Sequence, residues 1–147
     1  MPESEATRTA LKLWVVLSRA HTAVSRRVEE DIASHALSPG EFAILEALYH
    51  KGPLLLGEVQ RKILASSGGV TYLVDRLAKQ GLVERRDCPD DRRARFASLT
   101  AAGTALMDGI FPRHAQAIVE AVSGLDDDDK VLAIGLLKKL GRAAASG

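Results

Sequence analysis

Ser66-Ser67-Gly68-Gly69-Val70-Thr71-Tyr72-Leu73-Val74-Asp75-Arg76-Leu77, with Gly81-Leu82-Val83-Glu84-Arg85-Arg86 behind it, decides the fold. Val70, Leu73, Val74 and Leu77 recur at three- and four-residue steps, the period of one buried helix face. The serines in front offer side-chain oxygens to cap a helix start. Gly81 stands where a helix ends in a left-handed residue. The opposite face carries Ser67, Gly68, Thr71, Tyr72, Asp75, Arg76 and Lys79. Upstream, about Leu56 to Leu64 reads as another helix, broken by Ala65-Ser66-Ser67-Gly68-Gly69. Two helices joined by so short a turn make a helix-turn-helix. Downstream, Leu82 to Arg86 and Phe96 to Thr100 read as two strands, with Cys88 to Arg95 as their hairpin loop.

Further out, Ser38-Pro39-Gly40-Glu41 is a capping box with proline at the first helical position. Phe42, Leu45, Leu48 and Tyr49 follow at helical spacing, and Gly52-Pro53 stops the run. From about Ser4 to Ala36 the chain has neither glycine nor proline. There Leu13, Leu17, Ala20, Val24, Val28 and Ile32 mark a long amphipathic helix. On the other side Thr100 caps a helix from about Ala101 to Ser123. Pro112 inside it is expected to bend it or remove one hydrogen bond. Asp126 to Asp129 place four acids at a last helix start, where the dipole favours them. Val131, Leu132, Leu136, Leu137 and Leu140 follow, and Gly141 is read as the end. The expected fold is mainly α with a small β-wing (α+β). It is a single domain, 1–147: a winged helix-turn-helix over about 38–100, flanked by dimerisation helices over about 4–36 and 101–141.

Composition narrows the function. With 46% hydrophobic and 27% charged residues, the chain reads as soluble and globular. Its apolar runs, such as Leu54-Leu55-Leu56, are far too short for a membrane span. The acidic start Glu3-Ser4-Glu5 has no apolar signal core, so a cytoplasmic location is expected. A net charge of +1 gives no overall field for nucleic acid. Arg85, Arg86, Arg92, Arg93 and Arg95 nevertheless cluster around the hairpin.

Catalytic signatures fail one by one. The histidines His21, His35, His50 and His114 form no zinc-type pair, and Cys88 is the single cysteine. Gly52 to Glu58 has the glycine spacing of a phosphate loop but puts a carboxylate where lysine is required. Neither an enzyme nor a metal or cofactor is expected.

The motifs Ser66 to Thr71, Leu73-Val74-Asp75-Arg76-Leu77, Gly81 to Arg85, Asp90-Asp91-Arg92-Arg93 and Leu99-Thr100-Ala101-Ala102-Gly103 resemble the MarR family in order and spacing. The resemblance covers about Leu11 to Leu140. It implies a homodimeric winged-helix transcription regulator, a repressor or an activator, that binds duplex DNA at a pseudo-palindromic operator. A small organic or phenolic effector often accompanies the family. Under that resemblance Ser66, Ser67, Gly68, Thr71, Tyr72, Asp75, Arg76 and Lys79 face the major groove, which admits one helix. Tyr72 stands where relatives often carry a polar or basic residue. Asp91 and Arg93 match the wing's Asp-x-Arg pattern. The aspartate would orient the arginine that enters the minor groove, while Arg92 and Arg95 would reach phosphates.

Leu13, Leu17, Val131, Leu136, Leu137 and Leu140 are the expected dimer interface, since both arms lie outside the compact lobe; the alternative is completion of a monomer core. Trp14, His21, Phe42, Met107 and Phe111 are candidates for an effector pocket, or equally for plain core. The competing function is a winged-helix protein-interaction module without DNA binding.

Overall fold

The computed structural model describes residues 2–63, 67–88 and 91–147; the side chains of 67–68, 88 and 91–94 lie outside the description. The elements run α1 (Glu5–Ser34), α2 (Pro39–Lys51), β1 (Leu54–Leu55), α3 (Leu56–Ile63), α4 (Ser67–Lys79), β2 (Val83–Cys88), β3 (Asp91–Leu99), α5 (Ala101–Ala121) and α6 (Asp127–Ala145). No described helix is long and apolar enough to cross a membrane.

Local chemistry sets most of the boundaries. Ser38 Oγ accepts the Glu41 N–H, and Glu41 Oε1 accepts the Ser38 N–H, both at 3.1 Å, which closes the capping box of α2. Ser38→Ala is expected to lower stability by about 1 kcal/mol, read as a lower denaturant midpoint at unchanged m-value. At the end of α4, Gly81 takes φ +75°. The Leu82 N–H reaches Leu77 O at 3.1 Å and the Gly81 N–H reaches Ala78 O at 3.0 Å, a Schellman closure. Thr100 Oγ1 caps α5 through the Gly103 N–H at 3.0 Å, and Asp126 Oδ1 caps α6 through the Asp129 N–H at 2.8 Å. Helix α5 runs through Pro112.

Three expectations need correction. The hairpin is longer than the sequence suggests: β2 reaches Cys88 and β3 begins at Asp91, so much of the expected loop lies within the strands. Cross-strand pairing overrides the turn-forming character of Asp and Arg here, with an irregularity between Asp87 and Cys88. The sheet also has a third strand. β1 pairs antiparallel with β3, Leu54 opposite Ala97 and Leu55 opposite Phe96, giving the order β1-β3-β2. Two residues are too few to show a period. Helix α6 passes Gly141 and ends at Ala145. One glycine costs only about 1 kcal/mol in a helix, and the alanines after it favour continuation.

The core lies where the described elements converge. Ile44, Leu45 and Leu48 of α2, Val59 of α3, Val74 and Leu77 of α4, Ala97 of β3 and Met107 of α5 are buried together. Val28 and Ile32 bring the C-terminal half of α1 onto this core. Helix α6 contributes no buried residue.

Candidate nucleic-acid interface

Helix α4 is held by its apolar stripe: Val70, Val74 and Leu77 are buried and Leu73 is half-buried. Its other face therefore points outward. Thr71, Tyr72, Arg76 and Lys79 are exposed and Asp75 is half-buried. Tyr72 is 62% exposed, so its ring serves no core purpose. Its hydroxyl and π-face are available to a partner.

Asp75 and Arg76 of the predicted face already have ion-pair partners within the chain. Asp75 Oδ1 lies 2.9 Å from Arg85 Nη1, which ties α4 to β2. Arg76 Nε lies 3.7 Å from Oε2 of Glu41, which is only 5% exposed. That one carboxylate both caps α2 and faces α4. Close packing supports the same arrangement: a Cβ on Gly40 would meet Leu73 Cδ1 at 2.7 Å. Asp75 and Arg76 thus help fix the tilt of α4. The capping role of Glu41 is legible in the sequence; its pairing with Arg76, and that of Asp75 with Arg85, are not, because both partners come from other elements.

The hairpin stands beside α4. Arg86 and Arg95 are exposed on it, Arg95 Nε lying 3.9 Å from Asp87 Oδ1 across the strands. Ser66, and the side chains of Ser67, Gly68, Asp91, Arg92 and Arg93, lie outside the described residues.

The five effector-pocket candidates do not come together in one chain. Phe42 and Met107 are core side chains, 3% and 0% exposed, because they lie on the faces where α1, α2 and α5 meet. Trp14 and His21 stand exposed on α1, and Phe111 packs on His50 and Tyr49 at ring-centroid distances of 4.7 and 5.8 Å. Tyr49 itself donates to Asp108 Oδ1 at 2.6 Å, joining α2 to α5. That hydrogen bond to a carboxylate pushes the Tyr49 hydroxyl pKa up.

The dimer candidates behave differently. Leu13, Val131, Leu136, Leu137 and Leu140 are exposed and Leu17 is half-buried. Leu11, Trp14, Val15 and Val16 widen the exposed apolar surface on α1, and Leu132 and Ile134 do so on α6.

Comparison with known proteins gives these features a context. Residues 37–94, which run from α2 into the start of β3, match the MarR family model. The chain is 42% identical over 135 residues to the HTH-type transcriptional regulator MhqR of Bacillus subtilis, covering 92% of this chain and 93% of that one. It superposes on a MarR family regulator of Streptomyces coelicolor solved in complex with DNA, with a TM-score of 0.82 at 22% identity over 97% of this chain and 91% of that one. It also superposes on Bordetella bronchiseptica BpsR, whose DNA binding is regulated by 6-hydroxynicotinic acid; the TM-score is 0.78 at 25% identity, covering 88% and 98%. A winged helix-turn-helix with an outward polar recognition face, and a close relative spanning almost the whole length, lead to one conclusion: the chain belongs to the MarR family of DNA-binding transcription regulators.

Proposed function

We propose that the protein is a cytoplasmic homodimeric repressor that binds a pseudo-palindromic operator and is released by a small organic effector. The observation that carries the reading is the exposed polar face of α4 standing beside a hairpin with outward arginines. In this reading Ser66, Ser67, Gly68, Thr71, Tyr72 and Lys79 meet DNA in the major groove, and Asp75 and Arg76 hold the helix that does so. Arg93 enters the minor groove, oriented by Asp91, and Arg92 and Arg95 meet phosphates. The lobe spans about 38–100 and the arms about 4–36 and 101–141. The exposed leucines of α1 and α6 supply the dimer contact. BpsR supports the effector: an aromatic acid or phenol is the class to test first.

The test is selection of bound duplexes from a random pool, followed by affinity against salt. Enrichment of a palindrome with half-sites roughly 10 base pairs apart is expected, with a steep salt dependence from phosphate contacts. Arg95→Ala should flatten the salt slope by about 1 while leaving the selected sequence unchanged. Weak binding without enrichment would favour the protein-interaction module instead.

A further inference from the structure

Among the described residues of the lobe, 38–100, Tyr72 is the only large hydrophobic side chain left exposed, at 62%. The others that stand exposed, such as Leu13, Trp14, Ile118 and Val131, belong to α1, to α5 and α6, or to the turn between those two. The second tyrosine gives the contrast. Tyr49 donates to Asp108 Oδ1 at 2.6 Å, and its ring centroid lies 5.3 Å from that of His50 and 5.8 Å from that of Phe111. Tyr72 has no hydrogen bond, ion pair or ring contact among the described residues. A lone exposed hydrophobe on an ordinary surface needs no explanation. This one stands on the outward face of α4, in its second turn.

We propose that Tyr72 is a specificity-determining residue that reads thymine: its ring packs on the 5-methyl group of a thymine in each half-site, a role that rests on the DNA-binding reading above. Three features point to that group. The first is the chemistry of the groove. Base edges there present hydrogen-bond donors and acceptors, and the thymine C5-methyl is the apolar group among them. A ring that leaves water gains by meeting apolar surface, and a phosphate offers none.

The second is direction. A helical side chain leans over the turn N-terminal to its own Cα. One turn before Tyr72 the sequence has Gly68 and Gly69, so no side chain of α4 stands there between the ring and the bases. The N-terminal part of a recognition helix is also the part that meets base edges. The third is the company Tyr72 keeps. One turn on, Asp75 Oδ1 lies 2.9 Å from Arg85 Nη1, and Arg76 Nε lies 3.7 Å from Glu41 Oε2. Both charged residues are engaged by other elements, β2 and α2. Tyr72 therefore brings the largest apolar contact surface on this face.

The test uses the full-length protein and the duplex it selects from a random pool. Each thymine is replaced in turn by deoxyuridine, at the matching position of both half-sites. That exchange removes the methyl group and keeps O4 and the pairing edge. Affinity is measured at constant salt. For the wild-type protein, replacement at one position is expected to weaken binding by about fourfold per half-site, the worth of one buried methyl group. Tyr72→Ala is expected to bind more weakly than wild type and to ignore that same replacement. Tyr72→Phe keeps the ring and is expected to match wild type both in affinity and in its response to deoxyuridine. Because the side chain is exposed, both variants should keep the wild-type thermal midpoint.

Half-sites without thymine, no position at which the methyl group matters, or a Tyr72→Ala response equal to that of wild type overturns the proposal. So does a loss in Tyr72→Phe as large as that in Tyr72→Ala, which would assign the hydroxyl to a phosphate or a base instead. Failure of the DNA-binding reading has a different signature: the wild-type protein then enriches no duplex, and this inference falls with it.

Discussion

Deleting residues 126–147 is expected to turn a dimer into a monomer and to lower operator affinity by at least two orders of magnitude. Helix α6 has no buried residue in the single chain, so its removal leaves the core of the lobe intact. Yet Val131 is 70% exposed, Leu132 61% and Leu136 59%. Such a surface along one helix asks for a partner. Burying half of six such aliphatic side chains contributes on the order of 5–9 kcal/mol per protomer, enough to decide association. DNA affinity follows from association, because a second half-site held at fixed distance adds roughly 10²–10⁴ in avidity. Sedimentation of the truncated protein reads the first effect and duplex titration the second. A truncated protein that stays dimeric would remove α6 from the interface. One that is monomeric but binds with undiminished affinity would remove the need for two half-sites.

What the sequence discloses depends on how local each cause is. Helix α4 and its outward face are legible because Val70, Leu73, Val74 and Leu77 keep a helical period and Gly81 closes it. The caps at Ser38, Thr100 and Asp126 are legible because each acts within three residues. The apolar positions of α1 and α6 are legible from their helical spacing; Leu13, Val131, Leu136, Leu137 and Leu140 stand exposed, whereas Val28 and Ile32 of the same α1 stripe pack on the core. Long-range partners are another matter. β1 exists only because β3 lies beside it, and the hairpin outruns its own turn-forming residues for the same reason. Phe42 and Met107 carry the same aromatic or sulfur character in a core as in a pocket, so their type alone cannot separate the two. The pairs Asp75–Arg85, Glu41–Arg76 and Asp31–His114 join residues 10, 35 and 83 positions apart. No periodicity encodes such separations; each pair arises from the packing of elements that were individually legible.

Among the described glycines Gly103 has the closest neighbour to a would-be Cβ, and Gly103→Ala is expected to cost about 2–4 kcal/mol. A Cβ at this position would stand 2.1 Å from the carbonyl oxygen of Leu82 and 3.2 Å from Leu99 Cδ2. The carbonyl cannot simply turn away, because it accepts the Thr100 N–H at 3.1 Å. Thr100 in turn donates from Oγ1 to Gly81 O at 2.6 Å while capping α5. The first turn of α5 is thus laid directly on the residues that end α4. Any side chain at 103 must push the arm off the recognition helix and strain both contacts. Alanine gains about 1 kcal/mol in helix propensity, too little to offset a clash with fixed backbone. The thermal midpoint should drop by roughly 5–15 °C, and operator affinity should fall because α5 and α4 no longer share one geometry. Gly109, in the same helix, has nothing within 4 Å of its would-be Cβ. Gly109→Ala should therefore hold or raise the midpoint, the propensity gain standing alone. If both variants lose the same amount, the close approach at Leu82 is not the cause. If Gly103→Ala alone falls and takes DNA binding with it, the arm and the recognition helix are coupled through that single missing side chain.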